Sequence, residues 1–314
     1  MEKQEVYTFN SRDGHSVIHC RKWLPEGEPV AVVQLVHGMV EYIERYDEFA
    51  RFLSSKGYVV VGHDHIGHGH SVKNAEELGI MTGAHPSNDM VEDIYTHYSM
   101  TKKSYPALPY FIIGHSMGSY MLRKFLSVKS AYIEDLNGAI MLGTGQEPAS
   151  KCNLGLAIIW LLSLIKGKNY KSMAFRNMTF DSAYRMYDSD GKDYGKSWLS
   201  KNTRNVENYF HDPLCSFIFS LNAYKGLIEA TKYVGTKACL DTMRKGIPLL
   251  LLSGDADPVG NMGVGTRAAA EAFEHAGIKD VTLKLYQGDR HEILNELDRE
   301  TVYDDILGWL EAHK

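Results

Sequence analysis

Cysteine is scarce. The 314 residues hold 4, at Cys20, Cys152, Cys215 and Cys239, and no two form a C-x-x-C. That spacing excludes a disulfide framework and a cysteine-rich zinc module, and it suits free thiols in a reducing cytosol. Net positive charge is missing too. At -5 the chain offers no electrostatic footprint for nucleic acid. No apolar stretch reaches the roughly 20 residues of a membrane span, and the opening MEKQEVYTFNSRDG lacks the basic start and apolar core of a secretory leader. There is no internal repeat and no low-complexity tract. A cytoplasmic location is the expectation. What remains is ordinary globular material, 44% hydrophobic and 23% charged, enough for a sizeable core.

Taken in order, that material alternates. Val6 to Phe9 and Val17 to Leu24 read as strands around an Arg12-Asp13-Gly14 turn. Ala31 to Val36 is an apolar run broken only by Gln34, as in a strand buried on both faces. Arg45 to Lys56 reads as an amphipathic helix, Tyr58 to Val61 as a strand, and Asp89 to Lys103 as a helix capped by Ser87 or Asn88. Tyr110 to Ile113 and Gly138 to Gly143 are further strands. From Gln146 to about Val234 the alternation stops, and the most apolar helix of the chain, Leu154 to Ile165, lies there. It resumes with strands Ile247 to Leu252 and Val281 to Tyr286 and helices Met262 to Ala276 and Thr301 to His313. Such alternation implies an α/β architecture, a mostly parallel sheet covered on both faces. The expected division is a core from residues 1–145 and 235–314, with 146–234 inserted as a helical cap over the strand C-termini, where such sheets bind ligands.

One stretch carries the chemistry. Tyr110-Phe111-Ile112-Ile113 runs into Gly114-His115-Ser116-Met117-Gly118, and helix-compatible residues follow. A strand, G-x-S-x-G and a helix are the parts of a nucleophile elbow, which exposes the serine on a strained turn. The serine needs a base and the base an orienting acid, in the order Ser, Asp or Glu, His. His291 follows the strand ending at Tyr286 and is the expected base. Two acids follow Leu252: Asp257, ahead of Pro258, is favoured, and Asp255 is the alternative, as a loop brace. The amides of Met117 and of Met39, after His37-Gly38, are the expected oxyanion donors. His63, Asp64, His65, His68 and His70 are read as a tight loop, because their spacing matches no helical zinc motif.

With those residues in view, the chain resembles the monoacylglycerol lipase and lysophospholipase branch of the α/β-hydrolases, grouped with serine-aminopeptidase-like hydrolases. The resemblance rests on HGMVEYIERY (37–46), GHDHIGHGHS (62–71), GHSMGS (114–119), GDADP (254–258), RHEILNE (290–296) and DPLCSFIFSLNAY (212–224). It implies the α/β-hydrolase fold, nucleophile Ser116, acid Asp257, base His291 and a lipid-facing cap, with no metal or organic cofactor. Candidate substrate-binding residues are His37, Gly38, Glu41, Arg45 and His115 around the nucleophile, with Ile158 and Leu162 on the apolar helix. Gly143-Thr144-Gly145 departs from the Ser-x-Pro that the family often carries before its cap. The expected activity is hydrolysis of a single-chain lipid ester, monoacylglycerol or lysophospholipid. A serine aminopeptidase is the second enzymatic reading, and a non-catalytic binding protein on the same fold is the third. Lysines 151, 166 and 168 flank Leu154 to Ile165, which suggests peripheral contact with a membrane or micelle.

Overall fold

A computed structural model describes residues 3–181, 187 and 197–314. Among the described residues the strands are β1 (Lys3–Asn10), β2 (Val17–Leu24), β3 (Ala31–Val36), β4 (Tyr58–His63), β5 (Tyr110–His115), β6 (Gly138–Leu142), β7 (Leu249–Gly254) and β8 (Val281–Tyr286). They form one sheet in the order β1-β2-β4-β3-β5-β6-β7-β8. β2 pairs antiparallel with β1 and β4, and every pairing from β4 through β8 is parallel. The helices are α1 (Asp47–Ser55), α2 (Pro86–Ser104), α3 (Met117–Val128), α4 (Ala149–Lys166), α5 (Met173–Arg176), α6 (Thr203–His211), α7 (Leu221–Val234), α8 (Lys237–Thr242), α9 (Val264–His275) and α10 (Arg299–Ala312).

The side-chain period of two explains the unbroken apolar runs in the central strands. Val32 and Val36 of β3 point into one core layer, and Val33 and Leu35 point into the other. Ile112 and Met141 join the first layer; Phe111, Ile113 and Leu142 join the second. The first layer is closed by α2, α3 and α9, through Met90, Met121 and Phe273, and the second by α1 and α10, through Phe49 and Ile306. Gln34, the polar residue of β3, is fully buried yet satisfied. Its amide nitrogen donates to the Ile94 carbonyl at 3.2 Å and its oxygen accepts from the Tyr110 hydroxyl at 2.8 Å. Unpaired, such a group costs about 1–3 kcal/mol.

Several boundaries differ from the sequence reading, each for a local reason. Ile43–Tyr46 is a 3-10 turn, and α1 starts only at Asp47. α2 begins at Pro86, whose fixed φ suits a first helical position, and no side chain caps it. Ser87 and Asn88 instead accept hydrogen bonds from Lys124 Nζ, at 2.8 and 2.5 Å. Between β6 and β7 the described residues contain helices and one isolated bridge, Lys171 to Ser220, but no strand. α7 drives Leu221, Ala223, Tyr224 and Ala230 into the main core, packing on α2 and α3. α4 behaves otherwise. It starts just after Pro148 and runs 18 residues to Lys166, longer than its apolar centre, and it buries only Cys152 and Ile159. Leu154, Trp160, Leu161, Leu164 and Ile165 are exposed. The expectation that no segment is long enough to span a membrane is therefore corrected: by length and composition alone this helix qualifies.

Candidate active site

Steric exclusion builds the turn at Ser116. β5 ends at His115 and α3 starts at Met117, so Ser116 makes the turn alone, at φ 52° and ψ -118°. For a residue with a side chain that backbone costs on the order of 1–3 kcal/mol. The Ser116 amide donates to the Leu142 carbonyl at 2.9 Å and holds the turn to β6. A Cβ on Gly114 would stand 2.6 Å from the Gly118 carbonyl, and one on Gly118 would stand 2.1 Å from that of Val36. Only glycine at both places lets α3 leave the strand so abruptly. The turn leaves Ser116 partly exposed between buried neighbours.

The loops after β7 and β8 open on the same edge of the sheet. His291 Nδ1 lies 3.0 Å from each carboxylate oxygen of Asp257. A carboxylate only accepts, so Nδ1 carries a proton and Nε2 is the ring nitrogen not committed to Asp257. Asp257 is fully buried and also accepts from the Val259 amide at 2.8 Å and the Ser253 hydroxyl at 3.0 Å. Burial pushes its carboxyl up, but the charge and hydrogen bond of His291, with these donors, hold it below the usual carboxylate range. Asp255 is exposed and accepts from the Gly288 amide at 2.6 Å, away from the imidazole. Gly143 explains the local departure in sequence. It has φ 57°, and a Cβ there would come within 2.9 Å of His291 Cε1.

Ser116, His291, Met39 and Met117 line one cavity of about 220 Å³. α7 contributes Tyr224, Leu227 and Ile228 to its wall, and Trp198 lies against the His291 ring, centroids 5.2 Å apart. α4 reaches this cavity through Lys151, Cys152 and Gly155. Ile158 and Leu162, expected to face substrate, pack against the main core instead, because that face of α4 lies on α7. His37 is likewise off the cavity. Its Nδ1 donates to the Gly38 carbonyl at 2.8 Å and its Nε2 accepts from the His65 amide at 2.9 Å, which makes it a brace for both loops. Gly38 passes so close that a Cβ would stand 2.5 Å from Glu41 Oε1 and 3.1 Å from Ser116 Cβ.

Known proteins resemble this chain over most of its length. A family model described as serine aminopeptidase, S33, matches residues 27–298. The chain belongs to this hydrolase family. It is 29% identical to human monoglyceride lipase, over 98% of this chain and 90% of that one. To the monoacylglycerol lipase of Mycolicibacterium smegmatis it is 26% identical, over 93% and 91%. A thermostable carboxyl esterase from Bacillus coagulans superposes with TM-score 0.91 at 24% identity, covering 100% of this chain and 99% of the other. A soluble variant of Saccharomyces cerevisiae monoglyceride lipase superposes with TM-score 0.76 at 20% identity, covering 100% and 96%. The fold is that of the α/β-hydrolases, and the protein is a serine hydrolase.

Behind Ser116 lies a buried charge network. Glu41 Oε1 accepts from the Gly38 amide at 2.5 Å, the Tyr46 hydroxyl at 2.9 Å and His115 Nδ1 at 3.0 Å. Its Oε2 accepts from Arg45 at 2.9 Å. Arg45 then grips Glu292, the neighbour of His291, with two bonds of 2.7 and 2.8 Å. Asn205 of α6 donates to Glu292 at 2.6 Å. Burial pushes the Glu41 carboxyl up, but His115 and Arg45 outweigh it and hold it well below the carboxylate range. Arg45 therefore supports the site from behind and does not line the cavity, whereas Glu41 and His115 do both. Glu292, Asn205 and Trp198 escaped the sequence reading. Glu292 had a signal in its adjacency to His291; Asn205 and Trp198 lie where no periodicity marks them.

Proposed function

We propose that this hydrolase cleaves the ester of a single-chain lipid, a monoacylglycerol or a lysophospholipid, through Ser116, His291 and Asp257. The observation that carries the reading is His291, whose Nδ1 is committed to Asp257, which leaves Nε2 as the available base in the cavity that Ser116 lines. Nε2 takes the hydroxyl proton as Ser116 Oγ bonds to the acyl carbon, and the carbonyl electron pair moves onto oxygen. The amides of Met39 and Met117 receive that oxyanion. On collapse, the ester C–O bond breaks and His291 returns the proton to the departing alcohol. Water, deprotonated by the same nitrogen, then releases the acyl group as a carboxylic acid and restores Ser116. These steps call for neither a metal nor an organic cofactor.

The largely aliphatic and aromatic wall from α7 suits an acyl chain, and the lipase relatives named above are described as acting on monoacylglycerols. Residues 146–234 serve as a cap that completes the cavity. The exposed side of α4, flanked by Lys151, Lys166 and Lys168, docks a cytoplasmic protein reversibly on lipid surfaces. A peptidase reading needs a carboxylate to hold an α-amine. Glu41 and Glu292 both reach the cavity, but each is already bound by Arg45, which favours the ester. The test is a panel of monoacylglycerols, lysophospholipids, short p-nitrophenyl esters and aminoacyl amides, with fluorophosphonate labelling at Ser116. Fastest turnover on the amides, or no labelling, overturns the reading.

A further inference from the structure

Away from the cavity, on the outer side of the Gly62 to Ser71 loop, three ligand atoms converge from two parts of the chain. They belong to His19 of β2 and to Asp64 and His70 of the loop, and all lie within 4.8 Å of one another. The sequence reading set aside the loop histidines because their spacing fits no zinc motif. The missing partner is His19, which the β2–β4 pairing brings alongside. His63, His65 and His68 do not join this group; they are fully buried beneath it.

The arrangement is held by backbone. The Asp64 amide donates to the His19 carbonyl at 2.9 Å, and the His19 amide donates to the Ser71 hydroxyl at 2.9 Å. Ser71 in turn donates to the Asp64 carbonyl at 2.7 Å. Asp64 is fully buried, with Oδ1 accepting from the Ile43 amide and Oδ2 from the His70 amide, each at 2.7 Å. Gly69 lets the loop close on that carboxylate, since a Cβ there would lie 2.2 Å from Asp64 Oδ2. His70 Nδ1 already stands 3.5 Å from the same oxygen. The independent observation is His19 Nε2, a buried nitrogen with no hydrogen-bond partner. Glu44 Oε1 stands 4.0 Å from it. An orphaned buried polar atom asks for a ligand.

We propose that His19, Asp64 and His70 bind a divalent transition-metal ion of the zinc type, with Glu44 or water in the fourth position. Two imidazoles and one carboxylate suit zinc, cobalt or nickel; calcium and magnesium demand more oxygen ligands. Bond lengths of about 2.0–2.2 Å place ligand atoms about 3.3 Å apart around a tetrahedral ion. His70 has the exposure to swing inward and reach that spacing, while His19 and Asp64 stay fixed. Arg21 opposes the ion, and it is already paired with Glu44. Asp64, Glu44 and Arg21 together leave the neighbourhood one negative charge, which favours a cation over an anion. The ion would pin β2 to the loop whose His65 amide holds His37, and its role is structural.

The proposal does not depend on the ester chemistry. The chain, stripped with chelator, is titrated with Zn²⁺ by calorimetry and with Co²⁺ by visible absorption. One equivalent is expected to bind, with the intense Co²⁺ bands of a four-coordinate site. His70→Gln and His19→Gln are each expected to weaken binding at least about tenfold, the lower end for loss of even an outer-shell partner. His70→Gln alters a half-exposed side chain, so it carries the test if the His19 variant fails to fold. Unchanged stoichiometry and affinity in His70→Gln would place the ion elsewhere and overturn the proposal. Absence of binding to the wild type at millimolar Zn²⁺ overturns it as well.

Discussion

His115 Nδ1 stands 3.0 Å from Glu41 Oε1, and the opposite ring nitrogen faces the main-chain oxygen of His291 at 3.3 Å. Both neighbours only accept, so both bonds exist together only when the ring carries two protons. Glu41 and Glu292 are then balanced by Arg45 and His115. Burial pushes His115 down, but the Glu41 hydrogen bond and charge raise it above its ordinary value. The group is raised on folding, so its contribution is complete below about pH 6.5 and is lost as pH rises through the folded value. Two His115 ring N–H signals by ¹⁵N-resolved NMR at pH 6 are the expected outcome. A single protonated nitrogen there would sink the idea. Glu41→Ala should cost about 3–5 kcal/mol, the toll for breaking a buried ion pair, measured by urea unfolding.

Ser116→Ala is expected to lower kcat at least about 10⁴-fold with the fold intact, and adding His291→Ala should cost little more, because the two act as a unit. Asp257→Asn should cost about 10⁴-fold, because an amide there favours the tautomer that puts the His291 proton on Nε2. Asp255→Asn, whose side-chain oxygen can still accept from the Gly288 amide, should leave kcat within a factor of a few. Steady-state kinetics that reversed the two aspartates would refute the assignment.

Gly143→Ala tests the contact with His291. A methyl 2.9 Å from Cε1, on a backbone at φ 57°, must displace the ring. Misplacement by about 1 Å costs about 10²-fold, so kcat should fall by that order while circular dichroism stays unchanged. Full activity in the variant would show that the ring has room to move.

Acid should unfold the protein steeply. His37, His63, His65, His68 and His97 are fully buried, and burial holds each below its ordinary value, His68 and His97 at about 3. In the unfolded chain they take protons near pH 6.5. Between those limits the unfolded state binds more protons, so stability is complete above about pH 6.5 and drains as pH falls, by about 1.4 kcal/mol per pH unit for each histidine. Urea midpoints between pH 8 and 5 should show it, and a flat profile would contradict it. His68→Phe, between Phe217 and Phe219, should remove about one proton from the slope.

The outward side of α4 can be tested apart from the cavity. Leu161→Ser with Ile165→Ser should weaken binding to anionic vesicles and slow hydrolysis of long-chain monoacylglycerols, with a soluble butyrate ester unaffected. Equal losses on both substrates would mean a damaged fold.

Much of this molecule was legible because two periodicities dominate it. β2, β3 and β8 fall within the residues read from sequence, since strands buried on two faces are continuous apolar runs and the edge strand alternates. Ser116, His291 and Asp257 stood out as punctuation after strands, and the structure brings His291 to Asp257 and into the cavity that Ser116 lines. Ile158 and Leu162 were misplaced because an all-apolar helix carries no sign of which face is inward, and only the packing of α4 on α7 settles it. His19 was passed over because its partners lie across the sheet, where chain spacing carries no information.

The segment between β6 and β7 is riveted to the sheet edge at particular points. The Trp198 and Leu199 carbonyls accept from the His291 and Glu292 amides, Asn205 shares Glu292 with Arg45, and the Tyr209 hydroxyl donates to Val40 at 2.8 Å. α7 is sunk in the core. A hinge through any of these would expose paired charge or break the loop that carries His291. α4 is held less firmly: of its 18 residues only Cys152 and Ile159 are buried. Mutational drift should follow the same line: free on the outer turns of α4, and halted at Asn205, Tyr209 and Glu292.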